Sequence, residues 1–183
     1  MLLIRALFVN ADTSRLLQHR DSLLQQALHL VGTAAATYSD FGDGAIHRIH
    51  YNDTGLFQDY CDIAFALSTN GAQLTMKKQS NTWIIIILIL NLPGELRYKT
   101  DGKFIPLATP GPNSPGDIES FIYLIFQQMA MASEGIWMWD AVDSSHFVNK
   151  ACICMILGDM LGSAKLNGMA LWRRMLLPLG LVF

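Results

Sequence analysis

The chain has 183 residues and a mass of 20.4 kDa, enough for one domain with its own core and too little for two of ordinary size. Hydrophobic residues make up 51% and charged residues 15%, against roughly 25% charged in an average soluble domain, which excludes global disorder. With 13 Lys and Arg against 15 Asp and Glu the net charge is −2, so no overall field draws nucleic acid or anionic lipid to the chain. Any nucleic-acid role has to come from a local site.

Cys61, Cys152 and Cys154 cannot all pair, and two of them are separated by one residue, which favours a reducing compartment, nuclear or cytoplasmic, over a secreted disulfide framework. Residues 1–10 are apolar, but Arg5 interrupts them and no small-residue cleavage site follows, so they are not read as a signal peptide. The longest apolar run, residues 83–90, is far shorter than the roughly 20 residues of a spanning helix, and no membrane partner is expected.

Residues 12–31 place Leu17, Leu24, Leu28 and Val31 at helical spacing, with Asp12 or Thr13 as N-cap and Gly32 as stop. This predicts one N-terminal amphipathic helix within residues 1–37, its apolar face packed on the core. Gly42, Gly44 and Gly55 among acids then predict a loop, in which residues 45–51 (AIHRIHY) alternate like a short strand. His47 and His50 resemble half a zinc site, but no cysteine pair stands nearby at zinc spacing, and they are read as structural. Asp40-Phe41-Gly42 matches a kinase metal motif in letters alone, without the Gly-rich loop or the other kinase segments.

Three strands are predicted next, over 63–69, 82–92 and 103–109, with connections short enough to favour an antiparallel meander. Ser114-Pro115-Gly116-Asp117 opens a helix, with Ser as N-cap and Pro at the first helical position. Its apolar stripe is Ile118, Phe121, Ile122, Ile125, Met129 and Ala132, and Gly135 ends it. In the connection that follows, Trp137-Met138-Trp139-Asp140 is expected to pack beneath the helix, the commoner fate of such aromatics than stacking on DNA bases. Asp140 and Asp143 are expected to be solvated. Residues 148–157 read as a buried strand, with Cys152 and Cys154 on one face as inert core residues.

The order strand, strand, strand, helix, strand gives an α/β (α+β) fold class. It is a partial ribonuclease H-like core with three antiparallel strands, a crossover helix and a fourth strand parallel to the first, preceded by the N-terminal helix. A right-handed crossover brings the C-terminal ends of the first and fourth strands together, at Asn70 and Asp159.

Five segments carry a family resemblance: Tyr38-Ser39-Asp40-Phe41-Gly42-Asp43-Gly44, Leu67-Ser68-Thr69-Asn70-Gly71, Asn91-Leu92-Pro93, Pro110-Gly111-Pro112-Asn113-Ser114-Pro115-Gly116-Asp117-Ile118 and Ile156-Leu157-Gly158-Asp159. Together they resemble the transposases of CACTA-type (En/Spm) cut-and-paste DNA transposons, fungal copies in particular. The resemblance covers residues 38–170, which it marks as a partial DDE transposase core; residues 171–183 (LWRRMLLPLGLVF) do not share it and read as an aberrant tail.

The resemblance implies metal-dependent phosphodiester cleavage and strand transfer, in which three carboxylates hold two Mg²⁺ or Mn²⁺ ions. It sets the first acid at position 70 and the second, a metal ligand, at Asp159. DNA at transposon ends is the implied partner, with an intact transposase as an oligomeric one, and Lys77 and Lys78 are the candidate nucleic-acid contacts. Two departures stand out. Position 70 holds a neutral Asn70 instead of an acid, and residues 160–183 contain no Asp or Glu. The expectation is a truncated, degenerate, inactive copy. The alternatives are a non-catalytic interaction module binding DNA or an intact transposase, and a small nuclease using Asp159 with Asp140 or Asp143.

Overall fold

A computed structural model describes residues 2–34, 36–72, 82–109 and 118–158. Its N-terminal part holds three short helices, α1 (Leu2–Val9), α2 (Ala11–Leu17) and α3 (His19–Leu30). The Asn10 side chain caps α2, its Oδ1 accepting from the N–H groups of Asp12 and Thr13 at 2.9 and 3.0 Å. The single helix expected over 12–31 is therefore two, meeting at Gln18, whose N–H turns back to the Arg15 carbonyl. Leu17 and Leu24 face inward as expected, with Ala27 beside them, but Ser14 and Arg20 are buried on the same side and Val31 is exposed. Gly32 ends the run in the left-handed region at φ +78°, where a glycine has no steric penalty.

Residues 45–51 correct the strand expectation outright, because they lie in a helix, α4 (Ala45–Asn52). His47 and His50, three apart and on one helical face, are the buried residues, and Ile46 and Ile49 are exposed.

The sheet follows: β1 (Ile63–Ala72), β2 (Thr82–Ile89), the short helix α5 (Gly94–Arg97), β3 (Lys103–Thr109), α6 (Ile118–Glu134), the hairpin strands β4 (Ile136–Asp140) and β5 (Ser145–Asn149), and β6 (Ala151–Gly158). Strand order is β3-β2-β1-β6. The first three strands are antiparallel, and β6 runs parallel to β1. Ile63 opposes Ala151 and Thr69 opposes Gly158, with a bulge where Phe65 pairs with Ile153 but Ala66 with Met155. This mixed sheet is a partial ribonuclease H-like core.

Both faces of β1 are covered, which is why its sequence reads as a continuous apolar run. Ile63, Phe65 and Leu67 join Ile4, Phe8 and Leu17 of the N-terminal helices and Ile122, Phe126 and Ala132 of α6 in the larger core. Ala64 and Ala66 meet Phe57, Leu88, Leu90 and Cys152 on the other side. Each of the large side chains contributes about 1.5–3 kcal/mol by leaving water.

Two more expectations change. The strand expected over 148–157 is split between β5 and β6, and the β4–β5 hairpin was not foreseen. On α6 the inward aromatic is Phe126, and Phe121 is exposed. Gly135 does end that helix, at φ +130°. The Ser114 cap, Lys77, Lys78, Asp159 and residues 171–183 lie outside the described residues. Among the described residues, no helix is long and apolar enough to cross a membrane.

Candidate functional site

Asn70 lies on β1 opposite Ile84 of β2, with its side chain exposed. Strand alternation puts it on the face of Ala64 and Ala66. Its chain neighbour Thr69 pairs with Gly158, the residue that precedes Asp159 in the sequence. The parallel register expected of the first and last strands is thus present up to one residue short of the predicted pair. An amide is neutral, so position 70 cannot supply the charge that a carboxylate gives to a divalent ion. Among the described residues, no group of three or more His, Cys, Asp or Glu could hold a metal.

The two acids considered as substitutes stand elsewhere. Asp140, expected in solvent, is buried, and its Oδ1 accepts from the Ser14 hydroxyl at 2.7 Å and the Val142 N–H at 2.9 Å. The Cys61 thiol lies 3.9 Å from its Oδ2. Since Cys61 precedes the first residue of β1, Asp140 sits at the opposite end of that strand from Asn70, roughly 23 Å away along the strand rise. Asp143 is exposed and accepts the Tyr60 hydroxyl. Burial pushes the Cys61 thiol up to about 12, which keeps it protonated and rules it out as a ready nucleophile.

Several residues of the segments that carry the resemblance hold the scaffold at the other pole of the sheet, where β1 starts and β2 ends. Asp43 gathers the 39–43 turn by accepting from the Ser39 N–H and hydroxyl and the Asp40 N–H, at 2.7 to 2.9 Å. Burial works against both carboxylates of this turn, yet the hydrogen bonds they accept outweigh it and hold both below their ordinary range. Asp40 makes a two-pronged ion pair with Arg97, both contacts 2.7 Å, and Arg97 also donates to the carbonyls of Leu90 and Leu92. This ties the loop to the end of β2. A Cβ on Gly42 would sit 2.9 Å from the Arg20 carbonyl, so the turn can approach α3 this closely only with glycine there.

His47 accepts from Arg20 and donates to the Gly42 carbonyl, both at 2.9 Å. Burial and the Arg20 charge push its pKa down to about 4, against the opposing effect of the Gly42 bond. His50, one helical turn on, is buried on the same face of α4 and meets the Phe57 ring edge-on. A cleft of about 610 Å³ lies on this side, lined by Asp40, Phe41, His47, Arg97, Cys154 and Leu157 among others.

The aromatic segment after α6 is placed differently from the expectation. Trp137 and Trp139 do not pack beneath α6: they are 61% and 41% exposed, on the outer face of β4. The alternation of Trp-Met-Trp-Asp, with Met138 and Asp140 buried, was the period-2 signal of a half-exposed strand.

A sheet of order β3-β2-β1-β6 with β6 parallel to β1 and the ends of both strands aligned defines the fold class, a partial ribonuclease H-like core. Residues 43–178 match the transposase family tnp2, and the chain belongs to that family. No curated protein and no solved structure matches it.

Proposed function

We propose that the chain is a transposase core of the CACTA (En/Spm) type, fungal-like, with DNA at transposon ends and an intact transposase as its partners, and that its own strand-end site is catalytically silent. The observation that carries this is Asn70: exposed, neutral, and one residue beyond the pair that aligns β1 with β6. Position 70 and Asp159 correspond to the first two acids of a DDE site, where charge is needed to hold Mg²⁺ or Mn²⁺ and to stabilise the leaving oxygen. An amide in the first position removes a ligand charge, and with it several kcal/mol of metal and transition-state stabilisation. The chain retains the scaffold and loses the chemistry.

The test is calorimetric titration of the wild-type chain and Asn70→Asp with Mg²⁺ and Mn²⁺. Two carboxylates side by side repel, and a divalent ion relieves that repulsion, so the variant gains affinity that the wild type lacks. Equal binding by the two proteins removes position 70 from the site. Metal-dependent nicking of plasmid DNA by the wild-type chain, lost in Asp159→Asn, overturns the silence.

A further inference from the structure

The β4–β5 hairpin has one face in the core and one in solvent. Ile136, Met138 and Asp140 point inward, with Phe147 packed against the core, while Trp137, Trp139, His146 and Val148 form the outer face. The imidazole of His146 stacks on the Trp137 indole at 5.6 Å and 5° between planes, and meets the Trp139 ring edge-on at 5.0 Å. With one side of Trp137 covered in this way and the residue still 61% exposed, its other ring face is open to solvent. Asp140 is turned into the core, so the outer face carries no carboxylate, and exposed Lys150 follows directly after β5.

We propose that this aromatic ribbon is a second DNA contact, a stacking platform for the unpaired bases of a DNA strand, distinct from the strand-end site. The proposal rests on the transposase reading for its partner and on the ribbon for its chemistry. Every base has a π-face, so planar exposed rings bind single strands with little regard to sequence. The face itself carries no carboxylate, Asp143 and Glu134 lying beyond its two ends, and Lys150 beside it suits a polyanion. A protein partner fits worse, because four side chains on two five-residue strands fall far short of the roughly 800 Å² per partner of a stable interface. The location also fits: the ribbon leads into β6 at Ala151, roughly 23 Å along that strand from Gly158, so a strand held there leaves the strand ends free.

The experiment measures binding of a fluorescent oligothymidylate, an abasic strand of equal length and a blunt duplex, in buffer without divalent ions so that the strand-end site plays no part. The wild-type chain is expected to prefer oligothymidylate over the abasic strand by at least about tenfold, a preference lost in the Trp137→Ala/Trp139→Ala double variant. Thermal unfolding of that variant stays a single cooperative transition, losing only the small cross-strand contribution of the two rings on His146, Trp137→Phe keeps most of the affinity, and Asn70→Asp binds as wild type. Equal affinity for thymidylate and abasic strands, or binding unchanged in the double variant, overturns the platform and leaves the transposase reading intact. Failure to bind any of the three probes overturns both. If removing the rings alters only concentration-dependent self-association, the face seats a second copy of the chain and the proposal falls.

Discussion

Arg20 Nη1 lies 2.9 Å from His47 Nε2, and since a guanidinium only donates, the imidazole must accept there and donate its Nδ1–H to the Gly42 carbonyl. Both nitrogens are committed in the neutral ring, and a second ring proton would face a buried cation. The fold therefore favours the neutral form, with a pKa near 4 against the ordinary 6.5. Its contribution to stability is complete above pH 6.5 and is lost as the pH falls towards 4, at up to about 1.4 kcal/mol per pH unit. His50, pushed down by burial, acts in the same direction; Asp62, pushed up by burial, opposes both as the pH approaches the carboxylate range. Asp40 and Asp43, held low, begin to matter only below this window. Urea midpoints at pH 7 and pH 4.5 are expected to show a clear loss for the wild type and a smaller one for His47→Asn. A wild-type midpoint that does not move would mean that His47 is not held neutral. The reason for His47 and His50 being inside was hidden in the sequence. Arg20 reads as a surface cation on α3, and nothing local marks it as the buried donor that draws His47 in.

Asn91 does for elements what Arg20 does for residues. It is fully buried at the end of β2, where its Oδ1 accepts from the Ala64 N–H of β1 at 2.8 Å. Its Nδ2 donates to the Leu17 carbonyl at the end of α2 and to the Asp62 carbonyl before β1, both at 2.9 Å. One amide thus docks the N-terminal helices on the sheet and satisfies a carbonyl exposed by the break between α2 and α3. Asn91→Ala strands three buried backbone groups, with an expected loss of about 2–4 kcal/mol in urea unfolding. Asn91→Asp is expected to fare no better, since a carboxylate cannot donate to either carbonyl; a loss under about 0.5 kcal/mol in either variant would show that water or another group takes the place of the amide. At this scale β1, β2, β3 and the β1–β6 pairing were legible, because β-branched runs between turn signals are strong local information. The β4–β5 hairpin was not, since its strands are five residues each and half their side chains are exposed. Asp140 misled for a similar reason: an acid in a connection ordinarily faces water, and only the fold brings to it the Ser14 hydroxyl, 126 residues away in the chain.

Among the described residues the sheet has two unlike edges. β3, at one edge, carries Pro106, which has no N–H to offer a foreign strand, and begins with Lys103, so it is protected against edge-to-edge pairing. At the other edge β6 has one neighbour among the described residues, β1, and its sequence ACICMILG contains neither charge nor proline. Such a strand is a template for pairing with another chain. On α6, the exposed Phe121, Leu124 and Met131 add apolar surface that also favours association. The wild-type chain is therefore expected to associate as its concentration rises. Met155 is the position at which to test the edge, because it lies mid-strand in β6 and is partly exposed, so a long cation there can reach water while blocking strand addition. Met155→Lys is expected to shift the chain towards monomer in light scattering, with an unfolding midpoint changed by no more than about 0.5 kcal/mol. If association persists in Met155→Lys but is lost in Leu124→Glu, the helix face drives it and the β6 edge is covered; a wild-type chain that stays monomeric at every concentration defeats the edge argument altogether.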